Sequence, residues 1–63
     1  MWTSVYMTQN IDTARYVREL LEHKQIPTMF HLIRTKDGAG EDCYEILVPG
    51  AELSEALDII VEQ

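Results

Sequence analysis

Few side chains in this sequence could do chemistry, and the first to consider are Cys43 and His31. A thiol beside an imidazole is a nucleophile arrangement, because the ring can take the thiol proton as sulfur attacks. Both residues fall on segments that read as neighbouring strands, so they could meet across a hairpin. A small strand cysteine and a partly exposed histidine fit better, since nothing basic adjoins Cys43 in sequence to favour its thiolate. Ser4 and Ser54 lack the strained nucleophile elbow and a nearby histidine–carboxylate pair. A zinc site needs three or four ligands, and His23, His31 and Cys43 are not closely spaced.

The acidic and glycine-bearing segments add little. Asp37, Glu41 and Asp42 supply hard oxygens, but without the dense, regular positions of a calcium loop. Gly38-Ala39-Gly40 has no strand–loop–helix context, so it reads as a hairpin turn and not as a phosphate cradle. Asn10 opens a helix whose free backbone N–H groups could hold a small anion, a property every helix start shares. No catalytic set, metal site or cofactor is expected. Asn10, His31 and Cys43 remain weak ligand-binding candidates.

These residues must be positioned by a small set of elements. Residues 2–7 are aromatic, β-branched and hydroxylic, and predict a strand. Asn10 is a plausible N-cap, and Ala14, Val17, Leu20 and Leu21 recur at helical spacing, which predicts a helix over 11–24. Ile26-Pro27 stops it, because a residue before proline is pushed out of the helical region. Residues 28–35 and 43–48 predict two strands joined by a polar connection, and Pro49-Gly50 ends the second. Leu53, Ala56, Leu57, Ile60 and Val61 then give a helical stripe from about 51 to 62. The result is one α+β domain of order βαββα: a three-stranded antiparallel sheet with two helices on one face. It matches the ferredoxin-like plan without its last strand.

Composition bounds the function. Of 63 residues, 46% are apolar and 25% charged, an ordinary globular balance. A domain this small has a marginal core, and its one cysteine excludes an internal disulfide, so oligomerisation is the expected compensation. Residues 1–40 carry five bases and four acids, net +1; residues 41–63 carry seven acids and no base, net −7; the total is −6. That acidic second half disfavours nucleic acid and anionic membranes as partners. It reads as a solvated helix face, with a docking face for a basic partner as the alternative. The first residues lack a basic, apolar leader, and the longest apolar runs are far below a membrane span. A cytoplasmic protein is expected.

Two helices cover only one face of such a sheet. Strict alternation puts Val5 and Met7 opposite Trp2 and Tyr6, and Tyr44, Ile46 and Val48 opposite Cys43, Glu45 and Leu47. The 28–35 strand is apolar on both sides, with Met29 and Ile33 read toward the helices and Phe30 and Leu32 away from them. The expected open face is therefore Trp2, Tyr6, Phe30, Leu32 and Leu47, a patch that would mark an interaction surface. Self-association through that face or through the free edge of the first strand is the structural expectation, with a dimer favoured.

Tyr6, Asn10, Ala14, Leu21, Ile26-Pro27 and Ile46-Leu47-Val48-Pro49 ahead of an acidic helix with Ala56 carry a resemblance over nearly the whole chain. The pattern resembles a family of small prokaryotic proteins, a domain of unknown function named for a supposed signal-transducing role. Where that family often carries glycine before Ile-Pro, this chain has Lys24-Gln25. The resemblance implies a PII-like, ferredoxin-like regulatory fold that assembles through its sheets, with no catalytic residues. The expected function is a non-enzymatic regulatory or adaptor domain, homo-oligomeric, binding a partner protein or small metabolite. The alternative is an inter-subunit metal or ligand site with simple acid–base or thiol chemistry.

Overall fold

The structure, a computed structural model, describes residues 1–34 and 42–62. Its elements are β1 (Trp2–Thr8), α1 (Ile11–His23), β2 (Met29–Ile33), β3 (Cys43–Pro49), a 3-10 turn (Gly50–Glu52) and α2 (Leu53–Val61). The order βαββα is the one expected, and the connection between β2 and β3 lies largely outside the described residues. The three strands form one antiparallel sheet of order β1-β3-β2.

β3 is the central strand, and its alternation sets the layers. Ile46 and Val48 are fully buried and share a core with Ala14, Val17 and Leu21 of α1, Ile26, and Ala56 of α2. Both helices therefore cover the same face of the sheet. Ala14, Val17 and Leu21 recur at three- and four-residue steps, so they form one inward stripe on α1.

β1 departs from strict alternation. Ser4 pairs with Leu47 and Tyr6 with Ile46, so Val5 is an extra residue, a β-bulge. A one-residue slip exchanges the faces of everything beyond it. Val5 and Tyr6 consequently both pack against the core, while Met7, opposite Glu45, turns away from the helices. The expected placement of Tyr6 outward and Met7 inward is corrected by this bulge.

α1 is closed at both ends by local hydrogen bonds. The Asn10 side-chain oxygen accepts from the backbone N–H groups of Asp12 (2.8 Å) and Thr13 (3.1 Å). At the other end Gln25 N–H donates to Glu22 C=O (2.9 Å) and Ile26 N–H to Leu21 C=O (3.0 Å). These are the two bonds of a Schellman stop, whose turning residue takes a left-handed backbone. That residue is Gln25, with φ 67°, at the position before Ile26-Pro27. Its side chain has no glycine-like freedom there, so the turn is strained. Ile26, 2% exposed, is thereby delivered into the core beside Leu21.

Two opposite shifts in stability follow from these ends. Gln25→Gly relieves the left-handed strain and should raise the unfolding free energy by about 1 kcal/mol in urea titration. Asn10→Ala removes the cap and should lower it by about 1 kcal/mol in the same measurement, with Asn10→Ser restoring most of the loss.

Candidate functional site

The face of the sheet away from the helices is built by register. Residues opposed across an antiparallel pair share a face. Trp2 opposes Pro49, Ser4 opposes Leu47 and Met7 opposes Glu45 on one side of β3; Met29 opposes Leu47, His31 opposes Glu45 and Ile33 opposes Cys43 on the other. These residues form the open face. Trp2 (43%), Met7 (53%), Met29 (43%) and Ile33 (37%) are large apolar side chains left in contact with water.

Of the five residues expected there, Trp2 and Leu47 lie on this face. Tyr6, Phe30 and Leu32 do not: they oppose Ile46, Ile46 and Tyr44, whose side chains point to the helices. For Tyr6 the reason is the Val5 bulge. For β2 the residue types alone left both faces apolar, and pairing with β3 decides between them. Phe30 packs against the core, its ring 5.8 Å from that of Tyr44 and tilted by 45°, with the Arg18 guanidinium 5.0 Å from its centroid. α1 thus closes over Phe30 with the stem and head of Arg18. Met7, Met29 and Ile33, read as helix-facing, are the apolar residues that the open face exposes instead.

No family model, curated protein or solved structure matches this chain.

The polar residues of the open face come together differently from the expected thiol–imidazole pair. His31 Nδ1 lies 3.5 Å from Glu45 Oε1, at the outer limit of a hydrogen bond. Cys43 is a free, half-buried thiol opposite Ile33, one step along the face from Glu45. Register therefore gives His31 a carboxylate neighbour directly across the ladder and puts Cys43 on the diagonal. Glu45 was the residue missed by sequence reasoning, because the partner of His31 is readable only once the hairpin register is known.

The other weak candidate, Asn10, uses its oxygen to cap α1, and Asp12 adds a carboxylate in the first helical turn. Both occupy or repel what an anion would need. Asp37 and Glu41 of the acidic connection lie outside the described residues. Among the described residues, no three His, Cys, Asp or Glu side chains are grouped to hold a metal ion, no cavity is enclosed, and no helix is long and apolar enough to cross a membrane.

The two faces of β2 give a direct test of register. Phe30→Ala should cost about 3 kcal/mol of stability, whereas Met29→Ala should stay within about 0.5 kcal/mol, both by denaturant unfolding at high dilution. The opposite ranking would return β2 to the orientation read from sequence.

Proposed function

We propose that this chain is a non-enzymatic regulatory or adaptor domain that acts by docking its open sheet face, through homo-oligomerisation and partner binding. The observation that carries this reading is the exposure of Trp2, Met7, Met29 and Ile33 together on one face, around a half-buried Leu47. Large apolar side chains gathered on one surface are the usual mark of an interaction site. Among the described residues no cavity is enclosed, and a small metabolite needs a concave site. The resemblance of Ile26-Pro27 and Ile46-Leu47-Val48-Pro49 to a family named for signalling supports the same class, and membership in it is part of the proposal. So is a cytoplasmic location.

Native mass spectrometry of gently purified protein tests this. The expected result is a complex, of this chain alone or with another protein, that both Trp2→Glu and Leu47→Glu disrupt while circular dichroism stays unchanged. Assemblies indifferent to both substitutions would sink the reading.

A second reading rests on the His31–Glu45 contact with Cys43 on the same face: a thiol assisted by an oriented imidazole. The two separate by alkylation kinetics. Docking expects His31→Gln to leave the rate of Cys43 modification by iodoacetamide within twofold of the original. A tenfold fall would favour thiol chemistry.

A further inference from the structure

We infer that the occupant of the open face is a second copy of this chain, packed sheet against sheet as a two-layer sandwich with all four helices outermost. This deepens the docking reading and rests on it. Three observations converge on the same partner.

The first is size and shape. An open three-stranded face is matched by another sheet of the same twist, and two such faces interdigitate at a spacing of about 10 Å. Trp2, Met7, Met29 and Ile33, at 43%, 53%, 43% and 37% exposure, leave on the order of 350 Å² of side chain in water. Two facing copies would hide at most about twice that from these four side chains, and the polar residues around them must add the rest of the roughly 1,200 Å² at which stable, specific interfaces begin.

The second is charge. The chain carries a formal net charge of −6, yet among the described residues the open face holds one carboxylate, Glu45, and it is accompanied by His31 at 3.5 Å. Among the described residues, Glu55, Asp58 and Glu62 are exposed in the other layer, on and just beyond α2. Sheet-to-sheet packing sends those acidic surfaces to opposite outer sides of the assembly. Packing through α2 would bring them together against their mutual repulsion. A strongly basic partner would find its complement on α2 and not on this face.

The third is the condition of the edges. A continuous sheet built across β1 needs a regular row of free N–H and C=O groups, and the Val5 bulge interrupts that row. The other edge, β2, offers only five residues. The face is therefore the better-formed surface for a second copy.

Sedimentation equilibrium on the full chain tests the inference. The expected species has twice the 7.3 kDa chain mass. Met7→Glu and Met29→Glu should each weaken dimerisation at least a hundredfold, whereas Leu57→Glu and Val61→Glu, exposed apolar positions of α2, should leave it within a few-fold. A measurement that needs no variant is the emission of Trp2, the single tryptophan. On dilution it should shift to the red with the same midpoint as the loss of dimer mass. A monomer at all concentrations would overturn the second copy, and so would a dimer whose dissociation leaves the Trp2 emission in place. A complex with a different protein that Met29→Glu breaks would also overturn it while keeping the docking reading. A dimer untouched by both methionine substitutions would overturn the two together.

Discussion

Everything in this domain takes its orientation from the alternation of β3. Tyr44, Ile46 and Val48 point one way and Cys43, Glu45 and Leu47 the other, and each flanking strand inherits its faces by pairing with them. The inward set holds the two fully buried strand residues, Ile46 and Val48, against which α1 and α2 both pack. The outward set has no helix to cover it. With one core and two helices, a three-stranded sheet this small leaves half of its side chains facing outward; the open face follows from the fold, and its apolar character from the residues that β1 and β2 place there.

How much of this was legible in the residues depends on how each element is patterned. β3 could be read because Glu45 interrupts its apolar run and fixes the alternation. α1 could be read because Ala14, Val17 and Leu21 keep helical spacing between charged residues, and Asn10 sits where a cap belongs. β2 could not, because Met29, Phe30, Leu32 and Ile33 are apolar on both sides and only the ladder with β3 distinguishes them. β1 could not either, since a bulge adds one residue without any residue type that announces it; Val5 is an ordinary strand former. The candidate site suffered most from these two, for its faces depend on register. Of its apolar residues, Trp2 and Leu47 were legible and Met7, Met29 and Ile33 were not.

The end of α1 shows a different kind of concealment. A left-handed stop is usually announced by glycine, and here the position is held by Gln25. The two hydrogen bonds of the stop and the burial of Ile26 over-determine the turn, so a residue poorly suited to the conformation is carried by its surroundings. Thr28, whose hydroxyl donates to Glu22 at 3.0 Å, ties the start of β2 back to the same helix end. The chain's reversal between α1 and β2 is thus fixed by backbone geometry and packing more than by residue preference.

The position of β3 between its two neighbours also orders the assembly of the chain in time. The β2–β3 pairing closes over as few as 10 positions, from Ile33 to Cys43 (43 − 33), while the shortest closure between β1 and β3, Thr8 to Tyr44, spans 36 (44 − 8). The longer loop costs about 1.1 kcal/mol more in chain entropy, a modest difference in stability but one that acts before any β1 contact forms. A ribosome must add α1, β2 and β3 after β1 before β1 has its whole partner strand. Until then Trp2, Val5, Tyr6 and Met7 travel without a ladder, so a strand made early is among the last to find its place.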